Sequence, residues 1–389
     1  MLVAAEASGD ALGAALARAL RRRLEGQVRF IGVGGARMAA EGVASAVDIG
    51  DLSILGVFDA VRAYPRVLRA VAKAAALARR ERPDAAVLID SWGFNLRLAH
   101  ALARIEPAPL LIKYVAPQVW ATRPGRARTL AQAVDHLLSI HNFDAPLFEA
   151  QGLAVTFTGN PAVARDFSAA RPERLRAAIG AASGEPILLV LPGSRPSEIR
   201  RLMAPFEEAV NILTADHAKL HVVVAAAETV AEAVKTHVAG WACRVHVVEG
   251  EAVRLDAMKA ATVALACSGT VTTELAAAGC PMVVAYRLGP LTYLVARRLI
   301  RTPYITLLNV AARAPVVPEL LQDQCNGPAL AREVALRLDD PQLRARQVGA
   351  QSAALEIMRG GIDDPIEAAA DAVQALLQSG AGREGDPSS

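Results

Sequence analysis

The chain reads as an α/β protein of two Rossmann-like domains, each a doubly wound parallel sheet. Three observations predict this. Apolar runs of strand length alternate with helix-length amphipathic stretches, the alternation breaks and restarts once, and small or polar residues follow the strand runs at the edge where such sheets bind ligands. In the first part, strands are expected at 2–5, 28–33, 85–89, 110–114, 134–140 and 155–158. Helices are expected at 11–24, 61–82, 96–105 and 143–151. Asn160-Pro161 and the polar stretch through Arg171-Pro172 end this series. The second series has strands at 187–191, 220–225, 245–248, 262–266 and 282–285, with helices starting at 197, 229, 253 and 270. Helices at 328–338, 342–358 and 365–377 follow. The expected domains are therefore 1–165 and 166–363, with a helix at about 364–378 that returns to the first domain and a disordered tail over 379–389.

Composition agrees with two domains. A chain of 389 residues, 53% hydrophobic and 21% charged, can bury two ordinary cores, and 4% aromatics suits small-residue helices packed on parallel strands. Lys and Arg number 42 against 39 Asp and Glu, a balance that argues against a nucleic-acid partner. The four cysteines lack C-x-x-C spacing, and no carboxylate pair or His/Cys cluster has metal spacing, so neither a cofactor nor a metal is implied. The N-terminus meets Glu6 and Asp10 at once and no apolar run reaches about 18–20 residues, which predicts a cytoplasmic protein without a signal peptide or membrane span.

The turns carry the chemistry. Ser268-Gly269-Thr270 joins an apolar strand to a helix, so free backbone N–H groups there form a seat for a diphosphate, and Glu274 lies one turn in, placed to accept from ribose hydroxyls. A capped helix explains the same residues equally well. Pro192-Gly193-Ser194-Arg195 follows another apolar strand; its N–H groups and the Arg195 guanidinium suit phosphate oxygens. In the first domain Glu6-Ala7-Ser8-Gly9-Asp10, Asp90-Ser91-Trp92-Gly93-Phe94-Asn95 and Pro117-Gln118-Val119-Trp120 all follow strands. His100, His136 and His141 read as structural. Gly32-x-Gly34-Gly35 lacks the third glycine of a dinucleotide fingerprint.

Taken together, these motifs resemble the lipid-A-disaccharide synthases, inverting glycosyltransferases of family 19 with the GT-B fold. The resemblance rests on Glu6–Asp10 with Gly13, 34–42, Tyr114-Val115-Ala116-Pro117 through Trp120, Leu191–Arg195 with Glu198, Ser268-Gly269-Thr270 with Glu274, Cys280 through Val284 with Tyr286-Arg287, and Asn309. Where the family often carries Asp-Ala-Pro-Asp-Phe-Asn, this chain has Asp90-Ser91-Trp92-Gly93-Phe94-Asn95 and lacks the second acid. The resemblance implies joining of UDP-2,3-diacylglucosamine to 2,3-diacylglucosamine 1-phosphate, giving the β-1,6 disaccharide and UDP. It also implies work at the cytoplasmic surface of the inner membrane.

An inverting transfer needs a base and a stabilised leaving group. Asp90 is the expected base and Arg195 the expected partner of the leaving diphosphate; a helix cap at Asp90 and a surface arginine at Arg195 are the bland alternatives. The expected UDP contacts are Gly193, Ser194, Arg195, Ser268, Gly269, Thr270 and Glu274. Glu6, Ser8, Gly9, Asp10, Asn95, Gln118, Trp120 and Asn309 are expected at the acceptor side or cleft. Arg123, Arg126 and Arg128 suit the acceptor phosphate or a solvated face. Residues 54–58 and the Arg-studded segment 288–310 suit acyl chains or anionic headgroups, or a core helix with an arginine rim. Two other classes stay open: another UDP-sugar enzyme of this fold, such as a UDP-N-acetylglucosamine 2-epimerase or peptidoglycan-type transferase, and a non-catalytic nucleotide-sugar-binding protein.

Overall fold

A computed structural model describes residues 1–47, 57–119, 125–289, 293–294 and 302–381, with side chains at 57–63 and 380–381 excepted. It divides into two compact units, Met1–Pro161 with Ile362–Ser389, and Ala162–Gly361.

The first unit runs β1 (Leu2–Ala4), α1 (Ala7–Arg23), β2 (Ile31–Val33), α2 (Ala36–Ala40), β3 (Ala44–Ser45), α3 (Val57–Glu81), β4 (Ala85–Ile89), α4 (Trp92–Leu102), β5 (Leu110–Tyr114), α5 (Gly125–Ala131), β6 (His136–Ser139), α6 (Ala145–Glu149) and β7 (Ala154–Phe157). Among the described residues its sheet has seven parallel strands in the order β3-β2-β1-β4-β5-β6-β7. Strand order reverses between β1 and β4. Both faces of the sheet's centre are covered, which is why β1 and β4 are apolar throughout rather than alternating. Val3 and Leu88 pack with Ala74 and Leu98 on one face, whereas Leu2, Val87 and Ile89 pack with Leu16 and Leu20 of α1 on the other. The C-terminal helix Pro365–Ala381 joins that second layer through Ala369, Ala370 and Val373, and Arg23 pairs with its Glu367 at 2.7 Å.

In the second unit the order is α7 (Pro172–Ile179), β8 (Ile187–Leu191), α8 (Pro196–Asp216), β9 (His221–Ala225), α9 (Ala231–Val238), β10 (Val245–Val248), α10 (Glu251–Ala260), β11 (Val263–Cys267), α11 (Thr270–Ala277), β12 (Met282–Tyr286), α12 (Leu307–Ala312), β13 (Glu319–Leu321), α13 (Gly327–Asp339) and α14 (Pro341–Arg359). Its described sheet has six parallel strands ordered β10-β9-β8-β11-β12-β13, with the reversal between β8 and β11. Ile187, Leu189 and Leu191 enter one core layer; Leu188 and Val190 enter the other with Leu202 and Phe206 of α8. Each such fully buried aliphatic side chain contributes roughly 1.5–3 kcal/mol.

The expected strands lie close to their positions, the edge strands β3 and β13 are additional to them, and several helices start a turn early. α1 begins at Ala7 rather than 11 and α4 at Trp92 rather than 96, so the small and polar residues read as loop form first helical turns. Burial decides this: Gly9 packs where a Cβ would sit 3.2 Å from Ala4 Cβ, a contact that outweighs glycine's weak helix propensity. α7 was not anticipated in the polar stretch around Pro172. Proline at its first turn, a left-handed Gly180 after its end, and buried Leu175 and Ile179 explain it. The last helix continues to Ala381, past the expected start of the tail at 379.

Candidate active site

Ligands of open α/β sheets bind beyond the strand C-termini where strand order reverses. In the first unit that point lies between β1 and β4. After β1, Glu6 occupies the N-cap position of α1, and its side chain and that of Ser8 are exposed. Asp10 is different. Buried to 5% exposure, its Oδ1 accepts from the backbone N–H groups of Gly35 (2.7 Å) and Met38 (3.0 Å), and its Oδ2 from that of Arg37 (3.0 Å). The carboxylate therefore caps α2 and does not present itself to a ligand, correcting the acceptor-side expectation for Asp10.

After β4 the chain makes a strained turn. Asp90 and Ser91 both have positive φ, 49° and 28°. Left-handed non-glycine residues cost roughly 1–2 kcal/mol each, so the surrounding bonds must hold them. They do: Asp90 N donates to Tyr114 O (2.9 Å), Asn95 Nδ2 donates to Ile89 O (2.8 Å) and Asp90 O (2.9 Å), and the Lys113 ammonium donates to Asp90 O. The Asp90 carboxylate is left half-buried, with Ser8 Oγ 3.5 Å from its Oδ2. It caps no helix. Ser91 holds the N-cap position of α4 and no side chain bonds there. Asn95, 1% exposed, spends its amide on the turn's carbonyls, so it shapes the site from beneath rather than meeting an acceptor.

Lys113 was missed. It lies in β5 at 3% exposure and donates to Leu88 O (3.2 Å) and Tyr114 O (3.1 Å) as well as Asp90 O. Burial pushes its pKa down to about 8, while the charges of Asp90 and Glu6 pull it back up. The only signal was one lysine inside the apolar run Leu110-Leu111-Ile112-Lys113-Tyr114. Directly after β5 comes another left-handed residue, Val115 (φ 72°), beyond which Gln118 is exposed. Trp120 and Arg123 lie outside the described residues. Arg126 stacks its guanidinium 4.9 Å over the Trp92 ring, and Arg128 is exposed.

In the second unit the reversal falls between β8 and β11, and its two turns differ. At Gly193 (φ 112°) a Cβ would lie 2.4 Å from the Glu198 carboxylate. Glu198 Oε2 accepts from Ser194 N (2.9 Å) and Arg195 N (3.1 Å), and its Oε1 from Arg195 Nη1 (3.1 Å). The N–H groups of Ser194 and Arg195 are thus engaged within a capping box in this structure. The Arg195 side chain itself remains 71% exposed.

The turn after β11 is open. Among the described residues no side chain caps α11, whose N-cap position is the exposed Gly269, and a Cβ there would have nothing within 4 Å. Thr272 folds its N–H and Oγ1 back to Gly269 O (3.1 and 2.8 Å), while Ser268 is half-buried and Thr270 exposed. One turn in, Glu274 accepts from Arg254 Nη1 of α10 at 2.9 Å. That partner was unreadable from twenty residues upstream. Asn309 is 1% exposed and fully engaged: Nδ2 donates to Val317 O and Glu319 Oε1 (2.9 Å each), and Oδ1 accepts from Val317 N (2.9 Å). It fastens α12 to the segment entering β13.

Among the described residues no three His, Cys, Asp or Glu side chains gather as a metal site, and no helix is long and apolar enough to cross a membrane.

Two Rossmann-like units, each with polar turns at its strand-order reversal, define the GT-B fold. The structure is similar to that of a putative UDP-N-acetylglucosamine 2-epimerase from Listeria monocytogenes, with a TM-score of 0.67 over 100% of this chain and 97% of that one; at 16% identity the likeness concerns the fold alone. Sequence relatives are closer. The lipid-A-disaccharide synthase of Rhodospirillum centenum is 41% identical over 376 residues, 97% of this chain and 94% of that protein. That of Paramagnetospirillum magneticum is 40% identical over 382 residues, covering 97% of both. The family model for lipid-A-disaccharide synthetase matches residues 1–372, and the chain belongs to that family of glycosyltransferases.

Proposed function

We propose that the enzyme joins UDP-2,3-diacylglucosamine to 2,3-diacylglucosamine 1-phosphate, with Asp90 as general base and the second unit as the UDP seat. The observation that carries this is the placement of the half-buried Asp90 carboxylate and of the open α11 N-terminus at the strand-order reversals of their sheets. Asp90 takes the proton of the acceptor 6-hydroxyl as that oxygen bonds to the anomeric carbon of the donor. The bond from that carbon to the diphosphate breaks, and its electron pair leaves on UDP. The N–H groups at the start of α11 and the Arg195 guanidinium meet the growing diphosphate charge, and Glu274 takes the ribose hydroxyls. Glu6, Ser8 and Gln118, exposed near the first unit's strand ends, contact the acceptor.

Acylated substrates suit work at the cytoplasmic surface of the inner membrane. Tyr64 and Leu68 of α3, 47% and 44% exposed beside exposed Arg66, Arg69 and Lys73, support contact with anionic headgroups. Of the two segments expected to meet acyl chains, residues 54–56, 290–292 and 295–301 lie outside the described residues, though Tyr293 and Leu294 are exposed. Incubating the purified protein in detergent with both substrates, and detecting products by mass, tests the reaction. Formation of disaccharide 1-phosphate and UDP is expected; absence of both refutes it.

A further inference from the structure

A lysine buried in the middle of a parallel sheet is costly, because an ammonium loses its water. An aliphatic residue at 113 would suit the neighbouring Ile112 and Leu111 better. What the lysine does is visible in its bonds. An ammonium has three N–H groups, and Nζ of Lys113 sends them to three backbone carbonyls: Leu88, Asp90 and Tyr114. Leu88 and Asp90 flank the last residue of β4, and Tyr114 is the last residue of β5. Two of those carbonyls sit at the entrances of left-handed turns, at Asp90 itself and at Val115 (φ 72°). Tyr114 O also accepts from Asp90 N (2.9 Å), so one ammonium ties both turns together. The titratable groups that face it are Asp90 after β4 and Glu6 after β1.

We propose that Lys113 is a positioning residue for Asp90: it pins the carbonyl ends of β4 and β5, keeps Asp90 in its left-handed turn, and stands as a buried positive charge behind the carboxylate. This rests on the reading of Asp90 as the base. Asn95 holds the same carbonyl from α4 but carries no charge, so of these two side chains Lys113 brings the electrostatic part.

The test uses the full-length enzyme with Lys113→Gln, which keeps an amide donor and loses the charge, and Lys113→Met, which loses both. The expected result for Lys113→Gln is a kcat lower by about 10–100-fold, with KM for both substrates within about two-fold. Lys113→Met should lose more activity still. If it does not fold, Lys113→Gln decides. A folded Lys113→Gln enzyme with wild-type kcat overturns the proposal, as does one in which KM rises in step with the fall in kcat. If wild-type protein makes no disaccharide, the reaction assigned above is wrong, and a crystal structure of Lys113→Gln judges Lys113 separately. Asp90 and Ser91 leaving positive φ supports the proposal, and an unaltered turn overturns it.

Discussion

The two strand-order reversals solve opposite problems. In the first unit a carboxylate has to be held still, and the chain does so with non-glycine residues in left-handed turns at 90, 91 and 115, clamped from below by Lys113 and Asn95. In the second unit an anion has to be received, and there the chain leaves Gly269 and the first turn of α11 uncapped. The neighbouring turn at Gly193 shows the contrast within a single sheet. It looks like a phosphate loop in sequence, yet Glu198 already fills it as an internal anion. A glycine turn before a helix is therefore a receptor only when no carboxylate of its own helix reaches back.

The largest effect should come from breaking the first unit's half of this comparison. Asp90→Asn keeps the shape and tolerates positive φ, so it should lower turnover by about 10²–10⁴ while leaving the melting temperature and UDP affinity near wild type. Asp90→Ala should lose similar activity and about 1 kcal/mol of stability, because alanine is disfavoured in the left-handed turn and not because a cap is gone. Near-wild-type turnover in Asp90→Asn would dismiss Asp90 as the base and leave exposed Glu6 as the next candidate, since Asp10 is committed to α2.

Next in size is Arg195→Ala, which removes a charge that pairs with Glu198 in the free protein and is proposed to meet the leaving diphosphate. Turnover should fall by about two orders of magnitude or more. Activity within a few-fold of wild type would assign the arginine to its capping box alone. Glu274→Ala should be milder and act on binding, weakening UDP by roughly ten-fold, about 1.4 kcal/mol. An unchanged UDP dissociation constant by calorimetry would reduce Glu274 to the partner of Arg254.

Both sheets were legible because buried parallel strands appear as short runs of Val, Ile, Leu and Ala, and the periodicity is local. The turns were legible as places but not as roles. Gly9, Asp10 and Asn309 stand in motifs of the same look as Ser268–Thr270, yet Asp10 caps a helix twenty-five residues on and Asn309 fastens a strand entrance. Those roles depend on which distant backbone N–H arrives, and no spacing in the chain states it. Lys113 is the plainest case. Its meaning lies in three carbonyls from two strands that only the sheet register brings together.

The smallest effect expected is on stability alone, and it separates the base at the reversal from a second buried acid away from it. After β6, Asp144 is 1% exposed and accepts from Ser139 Oγ at 3.1 Å; burial raises its pKa to about 7. His141, buried beside it in sequence and stacked on Phe143, is pushed down to about 4. The signs oppose. Between the ordinary carboxyl value of 3.8 and about 7, the folded Asp144 keeps a proton that the unfolded chain has lost, so its contribution falls as pH rises. Between about 4 and 6.5 the unfolded His141 holds a proton that the folded one rejects, so its contribution rises with pH. Over that shared window the two slopes cancel and wild type should be nearly flat from this pair. Asp144→Asn keeps an acceptor for Ser139 and removes the falling slope, so its melting temperature should climb by several degrees from pH 4 to 6.5. It should also exceed wild type above pH 7, where the native carboxylate is ionised in a dry site. Parallel melting curves for the two proteins from pH 4 to 8 would mean that Asp144 does not hold its proton and that the buried acid is solvated in solution.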